Sequence, residues 1–461
     1  MKKLLGLSIL VATTALVSCS KSDDPTPTPP VNTDTNIRGV ISKNITLTKD
    51  KTWTLRGPIY VTAGATVTIE AGTKIVSKKD SAGILVITPG CKINAAGTSS
   101  APIVFTSGET NPAPGDFGGI VISGKATVNG NHKTVEGGLD PKYSAIWGAT
   151  EATKSQANDA DNSGVMQYVR IEYAGKAVSP DVELNGLSLY GVGSGTTFDH
   201  IQVTRGVDDA FEFFGGTFNA KYLIAYGNGD DDFDFDDGFR GNLQYIISIK
   251  DPNVTDNKGT SGDYSNNIES DNTDGKTGPY TTTPVTKVNI SNATLVGPGN
   301  TPNSPVWNNY GYGNRWRRGS TFNVANSIII GVKLNGVSIE SNEAAQSFND
   351  GGSTFKNNIL QTLAAAPYRV GSDVTTVAGF NPAKVQELAL TTVYAASADD
   401  VKLTDPFNFA KPNVAPKADS QALTMGTKFE GVFAAGFDKP NYVGAVSAAA
   451  DWTTGWTAWG K

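Results

Sequence analysis

Histidine is almost missing from this 461-residue chain: His132 and His200 are the only two. A histidine-based catalytic triad or a multi-histidine zinc site therefore lacks its parts. Cysteine is as scarce, at Cys19 and Cys91. Charge is sparse too, with no long Lys/Arg run and a formal net charge of −6, which argues against nucleic acid as a partner. The apolar stretch Leu4 to Val17 is too short for a comfortable membrane span. No window before residue 360 holds a helical period. What the chain does have is 51 glycines with abundant Thr, Asn, Val and Ile. That composition favours short strands and frequent turns.

The first residues read as a targeting segment: basic Lys2-Lys3, an apolar run, then Leu16-Val17-Ser18-Cys19. "LVSC" matches the bacterial lipobox, in which cleavage before the cysteine frees Cys19 for lipidation. The alternative is an ordinary secretory signal with an incidental cysteine. Either way Cys91 has no intrachain partner if the segment is removed. "SKSDDPTPTPPVNTDTN" follows, with nothing to bury, and reads as a disordered tether. Asp23-Asp24 so close to Cys19 resembles the signal that exports Bacteroidetes lipoproteins to the outer face of the outer membrane. The expected organisation is signal peptide 1–18, tether 19–37, folded body 38–360, and C-terminal coils with a cap over 361–461.

Repeats organise the body. "VTAGATVTIEAGT" from Val61 is echoed by "ITPGCKINAAGT" from Ile87, with Gly64 and Gly90 spaced by 26. Phe211 and Phe213 precede Phe233 and Phe235 by 22, and Leu187 and Leu189 precede Phe211 and Phe213 by 24. Strand-type alternation at this period predicts an all-β, right-handed parallel β-helix, with three short strands per coil. About 12 to 13 coils are expected over 45–360, at roughly 4.8 Å per coil. Beyond 360, "LQTLAAAPY" and "PAKVQELALTTVYAAS" read as helical. Trp452, Trp456 and Trp459 are expected to cover an open end of the solenoid.

"GTSSAPIVFTS", "PGDFGGIVISGKA", "MQYVRIEYAG", "LNGLSLYGVGSGT", "DDAFEFFGGTFNAKYL", "DDDFDFDDGFRG" and the terminal "YVGA…DW…GW" together resemble a family of Bacteroidetes surface lipoproteins. The resemblance covers nearly the whole chain after the tether. It implies a pectate-lyase-like β-helix on the outer membrane, near TonB-dependent uptake receptors. It supplies no reaction and no catalytic residues.

Two constellations carry chemistry. Six aspartates fall within Asp230 to Asp237, interleaved with Phe233 and Phe235. Strand alternation turns the phenylalanines inward and sets Asp232, Asp234 and Asp236 on the outer wall, with Asp237 following. The 22-residue register stacks Asp208 on Asp230, Asp209 on Asp231 and Glu212 on Asp234. Carboxylates one coil apart repel by about 3 to 4 kcal/mol when partly shielded. They therefore either hold cations, Ca²⁺ being the natural candidate, or raise their own pKa values. The other reading is solvated corner charges that discourage aggregation.

The second constellation, "WNNYGYGNRWRRG", gathers Trp307, Tyr310, Tyr312, Arg315, Trp316, Arg317 and Arg318. It suits stacking on a sugar and pairing with its anionic groups. It equally suits a loop packed on the coil wall, with arginines balancing the acids. Three functions fit: a surface-anchored glycan- or nutrient-binding protein; a calcium-dependent lyase of acidic polysaccharides using Arg205, Arg240 or Lys250 as base; or a structural adhesin. No residue is singled out as catalytic.

Overall fold

The computed structural model describes residues 35–460 except 130–133, 146, 180–181, 257–262, 277, 448 and 450. The expected lipidation site Cys19, the signal and most of the tether lie outside the described residues.

The chain winds as a right-handed parallel β-helix in which 27 strands join one continuous hydrogen-bonded system. Each coil crosses three sheets. One sheet runs from Ile45–Leu47 through the first halves of Gly164–Glu172, Thr197–Thr204, Ala220–Tyr226 and Asn242–Ile249 to Thr354–Lys356. The second uses the later halves of those long strands and ends at Val393–Tyr394. The third stacks Leu187–Val192, Phe211–Gly216, Phe233–Asp236, Ile268–Ser270, Asn314–Trp316, Val337–Ile339 and Tyr368–Val370 in order.

The Leu/Phe register is the one expected. Leu187 pairs with Phe211 and Phe211 with Phe233, two residues before the Leu189, Phe213, Phe235 series and on the same inward face. The rings stack, at 5.1 Å for Phe211–Phe233 and 4.9 Å for Phe213–Phe235. All four are within 1% of complete burial. Such contacts add about 0.5–1.5 kcal/mol per pair beyond area burial.

The third sheet holds eleven strands, fewer coils than the sequence period suggests. Long excursions consume the difference, notably after Gly119–Ser123 and on both sides of Ile268–Ser270. The first excursion folds onto the third sheet, burying Val128, Val135 and Trp147 against Tyr60, Tyr190 and Phe214.

Two further expectations need correction. "LQTLAAAPY" is not helical: it forms the strand Ile359–Thr362 and leads into Tyr368–Val370. The longer helices are Asn342–Asn349, in a region without a helical period, and Pro382–Leu388, which takes only the first part of "PAKVQELALTTVYAAS" before the strand Val393–Tyr394. Phe348, Phe380 and Val385 from these segments join the central core, so they cover its C-terminal end.

The tryptophans do not cover an end. The C-terminal segment turns back and runs along the side of the solenoid as a strap. Seven stacked corners, at Tyr168, His200, Tyr222, Tyr245, Asn292, Asn326 and Asn357, all have left-handed backbone. The first four present a ring stack with centroids 4.2, 4.3 and 4.9 Å apart. Trp452 and Trp456 pack edge-on against this stack, which needs an apolar cover. The asparagine corners instead donate amide protons to the strap carbonyls of Tyr442, Lys428 and Gly426. Among the described residues no helix is long and apolar enough to cross a membrane.

Candidate functional site

Outward positions on the third sheet form a ladder along the solenoid axis: Ser188, Glu212, Asp234, Glu269, Arg315, Ser338, Arg369. Three residues before each of its first four members stands a second ladder at the corner entering the strand: Asn185, Asp209, Asp231, Asn266. Backbone hydrogen bonds tie these corners, from the Asp231 N–H to Asp209 Oδ1 at 2.8 Å and from the Asn266 N–H to Asp231 Oδ1. Asparagines close both ends. Asn185 Nδ2 donates to Glu212, and Asn266 Nδ2 donates to Glu269 at 3.1 Å.

Between these asparagines the carboxylates crowd. Three sets bring one oxygen from each member within 4.8 Å of the others: Asp208, Asp209 and Asp230; Asp209, Glu212 and Asp234; Asp231, Asp234 and Glu269. Glu269 was not foreseen, because the insertion before it stretches the spacing from Asp234 to 35 residues. The spacing of Asn266 to Glu269, the same as that of Asp209 to Glu212, was the available signal.

Electrostatics follow from crowding and burial. Burial, then the neighbours Asp208, Glu212, Asp231 and Asp230, pushes the Asp209 carboxyl well above the ordinary range. Glu212 is raised by burial, Glu136, Asp234 and Asp236. Asp234 is raised by burial, with Asp236, Glu269 and Asp271 adding to it. Asp236 and Asp237 are raised for the same reasons. Glu136, from the excursion folded over this sheet, is pushed up to about 7 by burial and by Glu183.

Asp232 departs from the expected outer wall. It is fully buried, with Lys250 Nζ at 3.3 Å and a hydrogen bond from Ser248 Oγ. It precedes the regular strand, so alternation does not govern it, and the lysine compensates its burial.

The aromatic–arginine segment lies one coil beyond the acids, and its ring residues are corrected likewise. Trp316 is fully buried, stacked on Phe322 at 4.0 Å. Tyr310 is buried and donates its hydroxyl proton to the carbonyls of Asp251 and Val254. Tyr312 is buried beside Tyr264. None of the three offers a face to a sugar. Trp307 is half-buried, with the Lys333 ammonium 5.3 Å from its ring centre. Strand alternation turns Trp316 into the core and its neighbours outward. Arg315 contacts Glu269 at 3.0 Å and Asp263 at 2.6 Å. Arg317 grips Asp271 with two bonds of 2.9 Å and also contacts Glu269, while Arg318 reaches Asp271 at 2.6 Å.

The arginines therefore neutralise the C-terminal end of the acidic ladder. Among the described residues Asp209, Glu212, Asp234 and Asp236 have no ion pair with a basic side chain. Asp234 Oδ1 and Asp236 Oδ1 are buried atoms without a hydrogen-bond donor. Clustered oxygens with unsatisfied lone pairs fit a hard cation such as Ca²⁺, which accepts carboxylates in flexible geometry.

The three bases considered for a lyase are all engaged. Arg205 pairs with Asp251 at 2.7 Å, Arg240 lies 3.5 Å from Asp159, and Lys250 is buried on Asp232.

No curated protein matches the chain. Among solved structures, the catalytic domain of a GH87 alpha-1,3-glucanase in complex with tetrasaccharides is similar at 11% identity. That match has a TM-score of 0.23 and covers 81% of this chain and 70% of that one. The family model described as "Pectate-lyase like beta helix domain" matches residues 39–457, so the chain belongs to the pectate-lyase-like β-helix family.

Proposed function

We propose that this chain is a lipid-anchored carbohydrate-binding protein of the outer membrane surface, holding calcium on the third-sheet acidic ladder. The observation that carries the reading is the Asp209, Glu212 and Asp234 cluster, with oxygens within 4.8 Å of one another and Asp234 Oδ1 lacking a donor. Asp209, Glu212, Asp231 and Asp234 would hold the ion, with Asp208 and Asp230 beside them. When bound, the cation offsets the mutual repulsion and offers open coordination positions to a carboxylate or hydroxyl of a glycan. The lipobox at Cys19 and the Pro/Thr-rich tether support surface display, as an accessory to a TonB-dependent receptor. Binding is favoured over β-elimination because Arg205, Arg240 and Lys250 are each committed to a carboxylate.

Affinity electrophoresis in gels containing pectin or alginate tests this, run alongside an assay for unsaturated products. Retardation that needs calcium and disappears with chelator, without product, is the expected result. Unsaturated product would replace the reading with a lyase. Migration unaffected by any polysaccharide would leave a structural surface protein.

A further inference from the structure

Away from the acidic ladder, the first sheet carries a groove of about 550 Å³ with the opposite charge. Its floor is the outward face of Thr321–Ala325 and Thr354–Lys356, where Asn323 and Thr354 sit side by side. Its walls are the Gly351–Gly352 turn, Leu390 and Thr391, and the strap from Lys428 to Phe433. Lys287, Lys356 and Lys428 surround it, against the single acid Glu430.

Among the described residues none of the three ammonium groups has a carboxylate partner, although the chain carries more acid than base. Leu390 and Val432, on the walls, are 54% and 45% exposed and are among the few large aliphatic side chains left in solvent. Asn323 donates one amide proton to Asn289 and accepts from the Thr354 hydroxyl. That leaves the second amide proton of Asn323 and a lone pair on Thr354 for a hydroxyl group. Lysines left unpaired, an aliphatic rim and a polar floor match a molecule with an anionic group, an apolar ring face and hydroxyls.

We infer that this groove is a calcium-independent subsite for a short uronic-acid oligosaccharide. Its carboxylates would meet Lys287, Lys356 and Lys428, and its ring faces would lie on Leu390 and Val432. The inference rests on the carbohydrate-binding reading above and adds a second contact to it, on a different sheet from the acids. A polyuronate gripped at both places would bind more tightly than at either alone.

The test is calorimetric titration of trigalacturonate into the full chain with chelator present, so that the acidic ladder holds no cation. Saturable binding is expected, at least tenfold weaker in Lys356→Gln/Lys428→Gln and unchanged in Lys43→Gln, an exposed lysine of the first coil. Ligand should also protect Lys287, Lys356 and Lys428 from acetylation read by mass spectrometry, a measurement that needs no variant. Neutral galactotriose should not bind. Absence of trigalacturonate binding in chelator, equal binding by the double-lysine variant, or binding of decanoate alone would each overturn the subsite. A flat calcium titration alongside trigalacturonate binding would sink the acidic-ladder reading and leave this one standing.

Discussion

At Asp234 two demands conflict: its strand neighbours Phe233 and Phe235 must be buried, and its own carboxylate meets Glu212 and Glu269 on the adjoining coils. If calcium resolves the conflict, Asp234→Asn has opposite effects in two conditions. Calcium affinity falls at least tenfold by titration, while the cation-free variant melts above the wild type at pH 8 because one repelled charge is gone. Equal affinities would remove Asp234 from the site. Asp232, two residues earlier, behaves differently because its charge is matched by Lys250 at 3.3 Å. Lys250→Met strands that buried carboxylate and should cost about 3–5 kcal/mol in denaturant unfolding. Asp232→Asn/Lys250→Met should recover part of the loss. The sequence did not distinguish these two aspartates, since identical residues one alternation apart differ only by whether the regular strand has begun.

At the scale of elements, the strap is the least expected part. It matches the wall beneath it position by position, with tryptophans over the ring stack and carbonyls over the asparagine corners. Trp456 is 1% exposed, so Trp456→Ala should cost about 3–5 kcal/mol locally. Limited proteolysis should then cut the strap while the coils stay folded. A cleavage pattern identical to the wild type would show that the strap is held elsewhere. The coils themselves were legible in advance because period and alternation reinforce each other over Leu187 to Phe235. The strap was not, because its partners lie far away in sequence, such as Gln202 with Ala458 and Arg170 with Trp456. The aromatic–arginine segment was half legible: the arginines balance the acids, and a three-residue strand hidden in it takes Trp316 into the core.

Across the whole molecule, charge is sorted along the axis of one sheet, from the carboxylates of Asp209 to Asp236 to the arginines from Arg315 onward. The acids foreseen on strands spaced by 22 residues were placed correctly relative to one another. Glu136 and Glu269 were missed because insertions break that spacing. The sorting has a pH consequence. Asp209, Glu212, Asp234, Asp236 and Asp237 are raised well above their ordinary values, and Glu136 to about 7. Above the ordinary carboxylate range the folded chain holds protons that the unfolded chain has released, so stability is lost as pH rises from about 4 to 5 upward, with the share of Glu136 gone once pH passes about 7. Without divalent cations the melting temperature should fall by several degrees from pH 5.5 to 8.5, and millimolar calcium should flatten the curve.

The most direct test is calorimetric titration of calcium into chelator-treated protein at pH 6.5, in two buffers of different ionisation heat. A saturable isotherm is predicted, with an apparent enthalpy that differs between the buffers because binding expels protons from the raised carboxyls. A flat trace in both buffers would contradict the account and return the acidic ladder to solvated charge.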